Sequence, residues 1–181
     1  MSTALASIEV HAEGLGGGVM GISGIREWSG AAARRFRACR NAVEEVFESS
    51  GFQFFYSGMF CAEDLYIRHL DVLGSDFLDN LIHLNLQDNG RRLVAVPEGT
   101  FRVYDYAIRN NLKQGRIYYS QEFARNEEAA SVQNGKTRSF WQTGFEIFGS
   151  PWLESSLEAI LLTLGMHVTP CCSTCDCPVT R

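Results

Sequence analysis

"SFWQTGFEIFG", residues 139–149, sets Gln142 and Glu146 four apart in a run that is otherwise apolar and aromatic. Side chains alternate across a strand, so residues two or four apart share a face. On that count Arg138, Phe140, Gln142, Gly144 and Glu146 point one way. Ser139, Trp141, Thr143, Phe145 and Ile147 point the other way and read as the packing set. A face built from Arg, Phe, Gln, Gly and Glu is a poor core. Gly144 in its middle suggests that something approaches the backbone there.

Upstream, "GRIYYSQEFARNEE" (115–128) reads as a partner strand, separated from the first by the polar loop "AASVQNGKT" (129–137). Further back, two alternating runs in "LIHLNLQDNGRRLVAV" (81–96) flank Asp88-Asn89-Gly90, a hairpin signal because Asn and Gly accept positive φ. Pro97 ends the second run, and "GTFRVYDYAIRNNL" (99–112) reads as a helix carrying Tyr104, Ile108 and Leu112. The clearest helix is "AAARRFRACRNAVEEVFES" (31–49), in which Phe36, Cys39, Val43, Val46 and Phe47 recur at steps of three and four. Gly51 stops it, and the strand-like "FQFFY" follows. Residues 61–80 read as loop and short helix, and "LESSLEAILLTLGM" (153–166) as an amphipathic to fully buried helix. The pattern is α+β: an antiparallel sheet flanked by helices. It divides into a flexible leader over residues 1–21, a core over 22–167 and a Cys-rich tail over 168–181.

Composition narrows the function classes. The chain has 181 residues, 45% hydrophobic and 20% charged, which suits one globular core. A net charge of −5 argues against a general nucleic-acid-binding surface. No apolar stretch approaches the ~20 residues that cross a bilayer. The start has no basic, apolar signal pattern, so a cytoplasmic location is expected. Gly16, Gly18 and Gly21 have dinucleotide-loop spacing but lack the strand and helix that motif needs. Four of the six cysteines crowd into 171–177, unlike a disulfide framework, and the thiols are expected to be reduced. That "CCSTCDC" run reads as a disordered tail rather than a metal knuckle. None of the four histidines has a partner at metal-ligand spacing, so no metal site is expected.

Taken together, "VPEGT" (96–100), "FARNE" (123–127) and "RSFWQTGFEIFG" (138–149) resemble class II aminoacyl-tRNA synthetases, the histidyl type most closely. The first is similar to that family's Arg-Pro-Glu-Gly-Thr segment. The other two are similar to its second motif, Arg-x-Glu, a variable loop, then Phe-x-Gln-x-Gly-x-Glu-x-Phe-Gly. "ISGIREWSG", the following helix and "GFQFF" resemble the entry segment and first motif. The resemblance implies ATP, with Mg²⁺, and an amino acid, histidine by type. It assigns Arg125 to the α-phosphate as the catalytic residue, where a planar guanidinium fork matches phosphate oxygens. Glu127 falls near the adenine, Phe140 against the base and Arg138 at the outer phosphates. Glu98, Thr100, Gln142 and Glu146 would bind the amino acid. Read alone, Arg125 and Glu127 make a surface ion pair, Glu98 charges the first turn of a helix, and Gln142 and Glu146 sit on a solvated sheet face.

The pattern also departs from the family's. Its third motif and anticodon-binding domain have no counterpart, which leaves tRNA binding open and implies a sheet incomplete at its C-terminal end. Gly58 stands where the first motif has proline, and Val96 where arginine precedes the proline. An exposed edge and apolar face are therefore expected, covered by a second copy or a protein partner. An amino-acid sensor similar to the regulatory subunit of ATP phosphoribosyltransferase is the other function the resemblance allows.

Overall fold

The computed structural model describes residues 7–9 and 22–168. In chain order it contains β1 (Ser7–Glu9), α1 (Gly30–Ser49), β2 (Gln53–Phe54) and β3 (Phe60–Ala62). Three short helices follow: α2 (Asp64–Ile67), α3 (Leu70–Leu73) and α4 (Ser75–Asp79). Then come β4 (His83–Asp88), β5 (Arg91–Ala95), α5 (Thr100–Arg109), β6 (Gly115–Ala124), α6 (Ala129–Gln133), β7 (Ser139–Phe148) and α7 (Trp152–Val168). The α+β class stands. Residues 61–80 contain one strand end and three short helices, and the loop 129–137 contains the short helix α6. Within the stretch read as a leader, Ser7–Glu9 forms a strand. The rest of that stretch, its glycine pattern included, and the Cys-rich tail beyond Val168 lie outside the described residues.

The backbone of the fold is the β6–β7 ladder, antiparallel and in register from Gly115↔Phe148 to Ala124↔Ser139. β1 pairs antiparallel along the other edge of β7, opposite Gln142 to Gly144, while β2 is parallel to β6. The sheet order is β1-β7-β6-β2, so one of its three pairings departs from the expected antiparallel pattern. A second sheet, β3-β5-β4, is antiparallel throughout. Its β4–β5 turn is the expected hairpin: Asn89 (φ 50°) and Gly90 (φ 78°) take the left-handed backbone that a two-residue turn requires.

In an antiparallel ladder, residues opposite each other share a face, so β6 and β7 divide the core in two. On one face Tyr118, Phe145 and Ile147 pack with Phe47 and Phe52 and with Ala159, Leu162 and Met166 of α7. On the other face Ile117, Tyr119 and Phe123 meet Val94, Val96, Val103, Tyr66 and Leu81. The apolar stripe of α1 behaves as its spacing implies. Phe47 is buried, Val43 and Val46 pack beside it, and Phe36 stacks on Trp28 and meets Trp141 edge-on.

Three expectations are corrected. α5 buries Thr100, Val103 and Ala107, whereas Ile108 is exposed and Leu112 lies past the helix end. The stripe is displaced by one residue, about 100° of helix rotation, because the helix starts at Thr100 with that residue turned inward. α7 is not buried all round. Ser155, Ala159, Leu162 and Met166 face the sheet, while Trp152, Leu153, Leu157, Ile160, Leu161 and Leu164 are each more than half exposed. Finally, Cys39 is disulfide-bonded, against the expected reduced state, whereas Cys61 is a buried free thiol.

Candidate functional site

The β6–β7 face opposite α1 and α7 gathers the polar residues. β7 contributes Gln142, Gly144 and Glu146, and the cross-strand register sets Gln121, Tyr119 and Ile117 beside them. The turn after β5 brings in Glu98 and Thr100 at the start of α5. Glu98, Thr100, Gln142 and Glu146 are all buried, Glu146 to 2% exposure, so the solvated-face reading fails for the last two.

Burial without partners is the notable feature. Neither carboxylate oxygen of Glu146 has a hydrogen-bond partner among the described residues, nor does Oε1 of Gln142. Unpaired buried polar atoms are costly and rare in native folds. Desolvation pushes the Glu146 carboxyl up to about 8; the Thr100 hydroxyl opposes the shift and the Glu98 charge adds to it. Glu98 is different. Its carboxylate accepts the Phe101 N–H at 3.1 Å and 3.3 Å, which ties down the first turn of α5 as its helix-charging reading implies. Burial still raises Glu98 to about 7, against the pull of the Phe101 and Thr100 backbone donors and of Arg125. Burial thus holds both acids well above the ordinary carboxylate range, and an opposite charge brought beside them would favour their ionised forms.

Gly144 does leave room for an approaching group, and that group is Tyr119. A Cβ at Gly144 would run into the Tyr119 hydroxyl, and one at Gly99 into its ring. Tyr119 is buried and its Oη lies 3.5 Å from Thr100 Oγ1. Sequence reasoning missed this residue. The signal was present in the register, since Tyr119 falls opposite Gly144 once the hairpin is aligned. Gln121 was missed as well. Opposite Gln142, it accepts the Ser57 N–H at 3.0 Å and donates to Ser57 Oγ at 2.8 Å, tying the sheet to the loop after β2.

The residues matched to the nucleotide side lie at the far end of the same ladder. Arg125 donates through Nε to Pro97 O at 3.1 Å and lies 4.8 Å above the Phe140 ring. Its terminal nitrogens make no hydrogen bond among the described residues. It does not pair with Glu127. That carboxylate meets Lys136 Nζ at 3.3 Å, and Arg138 Nε donates to the Glu127 carbonyl at 3.0 Å. Arg138 Nη1 also holds Ser23 O at 2.9 Å, which fastens the entry segment over this end. The structure therefore brings Glu98, Thr100 and Glu146 together, sets Gln142 further along the same strand face, and leaves Arg125 and Arg138 at the other end of the ladder.

Comparison with known proteins identifies the family. The histidyl-tRNA synthetase family model matches residues 24–170. The chain is 29% identical over 145 residues to the histidine–tRNA ligase of Thermotoga petrophila, covering 78% of this chain and 34% of that protein. It is 26% identical over 133 residues to the enzyme of Mycoplasma mycoides, covering 71% and 31%. It thus spans about a third of these relatives' length. Among solved structures, an ATP phosphoribosyltransferase regulatory subunit/histidyl-tRNA synthetase from Bacillus halodurans superposes with a TM-score of 0.65 at 17% identity, covering 81% of this chain and 37% of that one. A histidine–tRNA ligase subunit from Alicyclobacillus acidocaldarius gives the same TM-score and identity over 86% and 43%. With a family model spanning most of its described residues and the same class of catalytic-domain fold, this chain belongs to the histidyl-tRNA synthetase family.

Proposed function

We propose that this chain binds an amino acid, histidine by family, through Glu98, Thr100, Gln142 and Glu146, with ATP beside it on Arg125, Glu127, Arg138 and Phe140. The carrying observation is Glu146, buried with both oxygens unpartnered, while Gln142, four residues back on the same strand face, leaves its Oε1 unpartnered as well. An α-ammonium offers three donors and a positive charge, which meets the Glu146 oxygens and neutralises the carboxylate.

In the proposed reaction an amino-acid carboxylate oxygen attacks the α-phosphorus, the bond to the bridging oxygen breaks, and pyrophosphate leaves. Arg125 stabilises the charge that grows on the α-phosphate, because its Nε bond to Pro97 O and its stacking on Phe140 hold the fork in place. Arg138 would contribute charge from its anchored position, and Mg²⁺ would arrive with the nucleotide. Transfer to tRNA belongs to the proposal at the level of the family. Mixing the protein with histidine, ATP and labelled pyrophosphate should give isotope exchange; none at high protein concentration removes the catalytic step.

One observation favours a second reading, an amino-acid sensor. The nucleotide-side residues already have protein contacts: Arg125 with Phe140, Glu127 with Lys136 and Arg138 with the Ser23 carbonyl. Calorimetry separates the two. Histidine binding that ATP strengthens supports the synthetase reading, and histidine binding without ATP binding supports the sensor.

A further inference from the structure

A hollow of about 420 Å³ lies between α5 and the small β3-β5-β4 sheet, and none of the residues assigned above to amino acid or nucleotide lines it. That size is ordinary for a small-molecule site. Part of the lining is basic: Arg102 and Arg109 come from α5 and Arg91 from β5. Steps of three and four along the helix set Arg102, Asp105 and Arg109 on one face of it. Another part is apolar, with Phe60 and Ala62 of β3 and Leu93 of β5.

The guanidiniums outnumber the carboxylates that hold them. Asp105 Oδ2 serves both Arg109 Nε, at 2.9 Å, and Arg102 Nη1, at a loose 3.5 Å. Asp64, outside the hollow, likewise serves Arg91 Nη2 at 2.8 Å and Arg68 Nη2 at 2.6 Å. Asp88 is the other acid in the lining, and its Oδ1 accepts the Asn89 amide. Among the described residues Arg91 bonds only through Nη2 and Arg109 only through Nε, so each fork keeps two open nitrogens. Arg102 Nη2 holds Ser57 O at 3.0 Å, but its Nε is buried with no partner, which leaves that charge incompletely met by the protein. The Asp64 bond raises the Arg91 guanidinium above its ordinary range, and Asp88 and Asp105 add to the effect, as expected for charges around one hollow.

We infer that this hollow is a binding site for a phosphomonoester carried on a flat, apolar body, separate from the amino-acid and nucleotide residues. A phosphomonoester brings three terminal oxygens and nearly two negative charges at neutral pH, which suits forks with open N–H groups. A carboxylate brings two oxygens and one charge, too few for three guanidiniums held by so few acids. Free phosphate fills only a fraction of the space and leaves Phe60 and Leu93 uncovered, whereas a ring packs against them.

Calorimetry with the full chain and phenyl phosphate at pH 7.5 is expected to show one-to-one binding with Kd below about 1 mM. Inorganic phosphate and benzoate should each bind roughly tenfold more weakly, the first for want of a body and the second for want of charge. Arg91→Gln and Arg109→Gln should each weaken phenyl phosphate roughly tenfold. Both side chains are more than half exposed, so neither change should disturb the fold. Arg34→Gln, on the exposed face of α1, should leave the affinity as it is. Amide signals in ¹⁵N NMR should move at Phe60, Leu93 and Arg109 and stay in place at Arg125 and Phe140.

No binding of phenyl phosphate at about 10 mM overturns the proposal. So does an affinity unchanged in both arginine variants, or an equal loss in Arg34→Gln, which would mean general attraction to charge. Signals that move at Arg125 and Phe140 instead would put the probe at the nucleotide end and overturn it too. Benzoate binding as tightly refutes the phosphomonoester, and inorganic phosphate binding as tightly refutes the apolar body. Arg91 and Arg109 belong to different elements, so if one variant does not fold the other decides. None of these outcomes depends on whether the chain binds histidine or ATP.

Discussion

Glu146 and Gly144 are two residues apart and show how one position is set by charge and the next by space. Glu146 holds its proton more tightly folded than unfolded, with its carboxyl at about 8 against an ordinary 4.5, and Glu98 stands at about 7. In the interval between those values the folded state carries protons that the unfolded state has released. Stability from these two groups is therefore fully present below about pH 4.5 and is lost as pH rises through 7 and 8. Glu146→Gln should flatten that fall and add roughly 2–3 kcal/mol at pH 8.5, measured by urea unfolding, while abolishing histidine binding. A variant that loses stability at pH 8.5 would mean Glu146 is paired after all. Histidine binding should itself release protons near pH 7, visible as a buffer-dependent calorimetric heat. Gly144→Ala places a Cβ against the Tyr119 hydroxyl and is expected to cost about 1–3 kcal/mol in the same unfolding experiment. A smaller cost of Gly144→Ala on the Tyr119→Ala background than in the unaltered protein would confirm the collision as its cause.

At the scale of the element, α5 and α7 share a lesson. Counting threes and fours finds the helix but not its rotation, because tertiary contact at one end sets the phase. In α5 the Glu98 cap and the inward Thr100 put Val103 in the core and leave Ile108 in water. Val103→Ala is expected to cost about 2 kcal/mol, and Ile108→Ala less than about 0.5 kcal/mol, by thermal or urea unfolding. Equal costs would contradict the phase described here. The hairpin between β4 and β5 was legible outright, since Asp-Asn-Gly between alternating runs has one common backbone solution. The short helices of residues 61–80 were not. Each is four or five residues long, too short for periodicity to mark, and is held by packing on the α5 side of the sheet.

The whole molecule buries both faces of the β6–β7 ladder yet leaves six large apolar side chains of α7 in water. A patch of that kind drives association. Sedimentation is expected to show self-association that grows with concentration. Leu157→Glu with Leu161→Glu should abolish it without lowering Tm, since both side chains already lie mostly in solvent. A monomer across the full concentration range would show that this face stays uncovered on its own. Among the described residues no helix is long and apolar enough to cross a membrane.

Alternation along residues 138–149, the Asp-Asn-Gly turn and the stripe of α1 determined the α+β class, the long hairpin and the shared face of Gln142, Gly144 and Glu146. Those are consequences of period and local sterics, which act between near neighbours. Only the tertiary structure decided that Tyr119 fills the space over Gly144, that Arg125 stacks on Phe140 rather than pairing with Glu127, and that Glu146 is left without a partner. Each of these depends on residues distant in the chain meeting across a strand or a turn, and on how far water is excluded where they meet. A linear pattern carries no record of either.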